Sequence, residues 1–102
     1  MRYAYQGHYS YSHPVISNWN NNQIGVYYCG FTLPNGNLSV LYVGRATGDN
    51  GIRGRLLQHL GEDRWPNVTH FGYVVCDTVK DAEDFEATEI ARLQPLHNTQ
   101  GK

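Results

Sequence analysis

Long apolar runs are missing from this chain. Its longest are of strand length, well short of the roughly 20 residues that a membrane-spanning helix needs. The opening Met-Arg-Tyr-Ala-Tyr-Gln-Gly-His holds no hydrophobic signal region, so neither secretion nor membrane insertion is expected and a cytoplasmic location is. Cysteine is scarce too. Cys29 and Cys76 fall inside predicted strands and form no Cys-x-x-Cys pair, which predicts buried free thiols rather than a disulfide or a zinc site. His8, His13, His70 and His97 lack metal-ligand spacing, and no Gly-rich phosphate loop, nucleophile elbow or His-Glu-x-x-His helix occurs. Nor is there an excess of basic charge. Eight Lys and Arg against nine Asp and Glu give a formal net charge of −1, which by itself offers no support for nucleic-acid binding, where a basic face supplies most non-specific affinity.

What is present suits one globular domain. At 102 residues, 40% of them hydrophobic, the chain can bury a core without disulfide or metal staples. Charge is unevenly placed: Arg45, Arg53, Arg55 and Arg64 crowd the middle, and Asp77, Asp81, Glu83, Asp84, Glu86 and Glu89 crowd the segment after it. A basic rim beside an acidic helix is expected. Residues 1–23, with Tyr3, Tyr5, Tyr9, Tyr11, His8, His13 and an Asn-rich run, read as a polar, Tyr-rich N-terminal extension. Its tyrosines are suited to stacking bases, while packing on the sheet or simple disorder is the plainer expectation. Residues 24–102 form the domain proper.

Residues 24–33 and 38–44 are rich in Val, Leu, Tyr and Phe, and Pro34-Asn35-Gly36-Asn37 between them signals a turn, which together predict a β-hairpin. If Leu33 pairs with Leu38, then Tyr42 pairs with Cys29 and Tyr27 with Gly44. Alternation then puts Tyr27 and Tyr42 on one face as diagonal neighbours, roughly 7 to 8 Å apart, with open space at Gly44. A one-residue slip would separate them.

A helix is predicted over 52–60, with Ile52, Leu56 and Leu60 as its apolar stripe, Arg55 and His59 on one edge, and Gly61 as its end. Trp65-Pro66-Asn67 breaks the chain. Residues 69–76 read as a third strand, with His70, Gly72, Val74 and Cys76 on one face and Phe71, Tyr73 and Val75 on the other. A last helix should run over 81–93, N-capped by Asp81 and stopped by Pro95. Ala82, Phe85, Ile90 and Leu93 make its buried stripe, and Glu86 and Glu89 fall inside that stripe. A buried carboxylate needs a partner, here Arg55 or a divalent cation; periodicity does not separate Glu86 from Glu89. The expected fold is a small α+β sandwich, a central three-stranded, mainly antiparallel sheet flanked by helices.

Each signal is modest alone; their order is more specific. Gly25-Val26-Tyr27, a turn, Tyr42-Val43-Gly44, a helix carrying Arg55-Leu56 with His59 four residues after that arginine, a strand, a helical glutamate and Pro95-Leu96-His97-Asn98 follow one another. This succession resembles the GIY-YIG nuclease superfamily over residues 23–98. The segment from Phe85 through Glu86-Ala87-Thr88-Glu89-Ile90 to Pro95 and Asn98 is similar to the Glu-Ala-Asn-Leu-Ile and Pro-x-x-Asn ending of the N-terminal nuclease domain of the UvrC excision-repair proteins. His59 matches the histidine of the homing-endonuclease branch. Val replaces Ile in both tripeptides, the loop between Gly44 and Arg55 is longer than usual, and the separate DNA-binding domains usual in the family have no counterpart here.

The resemblance implies the GIY-YIG fold and a divalent-metal-dependent DNA endonuclease, serving repair, recombination, restriction or mobile elements. It selects Glu86 as the ligand of Mg²⁺ or Mn²⁺. Tyr27 or Tyr42 would orient or deprotonate the attacking water, with Arg45 and the metal lowering the phenol. Arg55, or its rival Arg53, would bind the scissile phosphate together with Arg45. His59 would hydrogen-bond a phosphate or a tyrosine, and Asn98 would brace the site. DNA is the implied partner, with a separate DNA-binding protein or a second copy of the chain to aid targeting. The alternative is an inactive GIY-YIG module that binds nucleic acid or a partner protein.

Overall fold

The computed structural model describes residues 5–18, 23–47, 51–62, 67–95 and 98. Tyr3, Arg64, His97, the Trp65-Pro66 break, most of the Asn-rich run and the middle of the loop before Gly51 lie outside them. The described residues form strands β1 (Gln6–Ser10), β2 (Gly25–Thr32), β3 (Leu38–Ala46) and β4 (His70–Val75), and helices α1 (His13–Ser17), α2 (Gly51–Glu62) and α3 (Val79–Leu93). The strands pair antiparallel throughout in the order β1-β4-β2-β3. The architecture is therefore α+β with four strands rather than three. The extra one is β1, drawn from the stretch read as an extension. It adds to the edge of β4, pairing Gln6 with Tyr73 and Ser10 with His70, and is short and polar, as edge strands commonly are.

The hairpin reaches the expected pairing by an unexpected route. At the turn Thr32, not Leu33, pairs with Leu38; the Leu33 N–H donates to the Asn37 carbonyl at 2.8 Å and the Gly36 N–H to the Leu33 carbonyl at 2.8 Å. A bulge then leaves Leu41 unpaired between Val40, opposite Gly30, and Tyr42, opposite Cys29. The extra residue offsets the one-residue shift at the turn. Tyr27 accordingly faces Gly44. Two glycines are needed for close approach: a Cβ on Gly25 would collide with the Val74 carbonyl oxygen, and one on Gly44 would lie 2.5 Å from Tyr27 Cζ and 2.7 Å from Tyr42 Cε2. The space expected at Gly44 is filled by tyrosine rings.

The sheet carries a core on each face because its strands alternate. On one face Tyr27, Cys29 and Phe71 pack with Ile16 of α1 and Ile52 and Leu56 of α2. On the other, Val26, Tyr28, Val43, Val74 and Cys76 pack with Ala82 of α3, flanked by Phe85, Ile90 and Leu93. Cys29 and Cys76 are free and buried. The cap of α3 is Thr78 rather than Asp81: Thr78 Oγ1 accepts the Asp81 N–H at 3.1 Å, so the hydroxyl satisfies a first-turn donor and Asp81 sits inside the helix, where its charge suits the N-terminal dipole. At the other end Gln94 turns left-handed at φ 44°, one residue before Pro95. Helix α2 runs through Gly61 to Glu62. No helix among the described residues is long and apolar enough to cross a membrane.

Candidate active site

Tyr27 of β2, Tyr42 of β3 and His59 of α2 meet as three rings on the α2 face. Their centroids are 6.1 Å apart for Tyr27 and Tyr42, 5.9 Å for Tyr27 and His59, and 5.8 Å for Tyr42 and His59. Tyr27 is fully buried, and its Oη shares a 2.8 Å hydrogen bond with His59 Nε2. Burial pushes the Tyr27 phenol far above its ordinary value, with Tyr42 adding to the rise and the Arg55 guanidinium opposing it. Burial raises Tyr42 as well, helped by the Glu86 charge and opposed by Arg55. Both phenols are therefore protonated at neutral pH in the metal-free protein.

Tyr42 also opens onto a cavity of about 440 Å³ whose other walls are Arg45, Thr47, Arg55 and Glu86. Residues from both faces of the sheet meet here because β3 is an edge strand. Tyr42 and Arg55 arrive from the α2 side, whereas Arg45, opposite Val26, arrives from the α3 side together with Glu86. The partner of Glu86 is Arg45, not the Arg55 that periodicity suggested: Arg45 Nη1 donates to Glu86 Oε1 at 2.7 Å, with the arginine side chain 43% exposed and the glutamate 16%. Arg55 Nη1 donates to Gln58 Oε1 at 2.9 Å. Arg53 is elsewhere, donating to the Ser17 carbonyl at 2.9 Å and tying α1 to α2.

The two stripe glutamates have different surroundings. Glu89 accepts from Tyr28 Oη at 2.7 Å and from Arg92 Nε and Nη2 at 2.8 Å each. It lines a second opening, about 410 Å³, with Tyr5, Tyr28, Phe85 and Arg92 among its walls. The Arg92 hydrogen bonds hold the Glu89 carboxyl below its ordinary value against burial, aided by Tyr28. Asn98 stands at the outer edge of β3. Its Nδ2 donates to the Val43 carbonyl at 2.9 Å and its Oδ1 accepts the Val43 N–H at 2.8 Å, as a neighbouring strand would.

The structure thus brings Tyr42, Arg45, Arg55 and Glu86 to one cavity, sets Tyr27 and His59 against the Tyr42 ring, and ties Asn98 to Val43, the residue after Tyr42. Thr47 and the Tyr28–Glu89–Arg92 cluster were not anticipated. The signal for Tyr28 was available: the residue after Tyr27 must point to the opposite face, toward the helix with the surplus carboxylates. Among the described residues no group of three or more His, Cys, Asp or Glu side chains could hold a metal ion. Glu86 nevertheless fits a hard divalent cation of the kind bound through one carboxylate, water and substrate phosphate, since it offers oxygen donors at a cavity with two guanidinium groups to receive that phosphate. No family model, curated protein or solved structure matches the chain.

Proposed function

We propose that this protein is a divalent-metal-dependent endonuclease of the GIY-YIG type that hydrolyses DNA phosphodiester bonds in the cytoplasm. The observation that carries the reading is the convergence of Tyr42, Arg45, Arg55 and Glu86 on one cavity from three separate elements, β3, α2 and α3. Those are the positions the motif resemblance selects. The four-stranded sheet is, on this reading, a GIY-YIG core extended by β1, and residues 24–102 are the nuclease unit.

The residues divide the work of phosphodiester hydrolysis. Arg55 receives the scissile phosphate, since a guanidinium fork matches two phosphate oxygens. Tyr42, protonated and at the cavity wall, orients the attacking water through its hydroxyl rather than acting as a standing base. Tyr27 and His59 fix the Tyr42 ring, and Asn98 fixes the strand that carries Tyr42 and Arg45. Glu86 would hold Mg²⁺ or Mn²⁺, which supplies charge neutralisation at the departing 3′ oxygen. Products would carry 5′-phosphate and 3′-hydroxyl ends. The test is a panel of supercoiled, linear, flapped and branched DNAs at low salt with Mg²⁺, Mn²⁺ or EDTA, followed by end-group analysis. Metal-dependent cutting with those ends is expected; intact DNA in every lane with either metal would refute the reading.

A further inference from the structure

We propose that Arg45 makes cation binding at Glu86 depend on an incoming phosphodiester. With no phosphate in the cavity the Arg45 guanidinium occupies the carboxylate; when a phosphodiester enters, the guanidinium transfers to it and the carboxylate is released to the metal. This rests on the assignment of Glu86 as the metal ligand.

Three observations carry the inference. One oxygen of the Glu86 carboxylate, Oε1, already accepts Arg45 Nη1 at 2.7 Å, and a dication placed at that carboxylate would stand against a neighbouring positive charge. Two guanidinium groups, Arg45 and Arg55, face one carboxylate across the cavity, so the described walls carry a net positive charge that attracts a phosphate and repels a metal ion. Finally, the partners differ in freedom. Glu86 is 16% exposed on a helix packed against the sheet, whereas the Arg45 side chain is 43% exposed near the end of an edge strand, so the arginine is the partner that moves. A phosphate is also a good second home for it, because the fork geometry suits either anion.

Coupling of this kind is reciprocal and commonly amounts to about 5-fold to 150-fold in affinity. It is read by titrating Mn²⁺ and following the free ion by electron paramagnetic resonance, with and without dimethyl phosphate as the phosphodiester probe. Wild type, Arg45→Met, Arg45→Lys and Glu86→Gln are compared, with thermal melts confirming that each is folded. In wild type, dimethyl phosphate should tighten Mn²⁺ binding at least about fivefold. Arg45→Met should bind Mn²⁺ without phosphate at least about fivefold more tightly than wild type, and its phosphate effect should shrink toward none. Arg45→Lys, which keeps the charge, should retain part of the coupling. Equal Mn²⁺ affinity in wild type and Arg45→Met, lost in Glu86→Gln, would overturn the coupling while leaving Glu86 as the ligand. Binding indifferent to Glu86→Gln would overturn the metal assignment itself and the coupling with it.

Discussion

Asn98→Ala removes a side chain whose two polar atoms both serve one backbone residue. The amide oxygen accepts the Val43 N–H at 2.8 Å and the amide nitrogen donates to the Val43 carbonyl at 2.9 Å, while Val43 itself is fully buried. Leaving both backbone groups without partners costs about 1 to 3 kcal/mol each, and partial hydration at the sheet edge favours the lower end, so about 2 to 4 kcal/mol in total is expected. Set against a domain stability of about 5 to 15 kcal/mol, that is a large fraction. It corresponds to a fall in melting temperature of about 10 to 25 °C for a chain of this size. Circular dichroism melts and urea unfolding of wild type, Asn98→Ala and Asn98→Asp measure it. Asn98→Asp should not restore stability, because a carboxylate accepts the Val43 N–H but turns an oxygen toward the Val43 carbonyl. A melting temperature for Asn98→Ala within about 2 °C of wild type would refute the clamp and its place in holding β3.

Other expectations follow from the same geometry. Gly44→Ala puts a methyl into the Tyr27 and Tyr42 rings; overpacking of this kind costs about 1 to 3 kcal/mol, measurable by urea unfolding, with ring displacement visible in the aromatic near-ultraviolet signal. Glu89 is held below its ordinary value chiefly by Arg92 hydrogen bonds, so its stabilising effect is present above the unfolded value of about 4.3 and disappears as pH falls through the lower folded value. Glu89→Gln should therefore weaken the protein at neutral pH and flatten its acid-side loss of stability; an unchanged pH profile would sink that assignment. Burial holds Tyr27 and Tyr28 far above the ordinary phenol range. Ultraviolet titration of the native chain to about pH 11 should thus show fewer ionising phenols than the eight tyrosines, with the amplitude unaltered by Tyr28→Phe.

Local pattern made the hairpin legible, and with it the shared face of Tyr27 and Tyr42. The route was not legible, because the slip at Leu33 and the bulge at Leu41 cancel and leave no trace in the alternation near the site. β1 escaped for a different reason: its five residues are polar and its partner β4 lies some sixty positions along the chain, so only tertiary pairing makes it a strand. Thr78 is as competent an N-cap as the expected Asp81, and residue type alone does not fix where the helix begins. Helix periodicity names the face of α3 but not the strand residue opposite, so it offers Arg55 or a cation for Glu86 and does not reveal Arg45. Arg45 reaches it from the side of the sheet that Tyr42 does not occupy.

The most direct measurement is the initial rate of supercoiled plasmid nicking in Mg²⁺ by wild type and by Glu86→Ala, each checked for folding. A lost transition-state interaction of about 3 to 4 kcal/mol predicts a drop of roughly 10²- to 10³-fold, with no cutting by wild type in EDTA. Nicking by Glu86→Ala at the wild-type rate, or persisting in EDTA, would contradict a metal-dependent site built on Glu86.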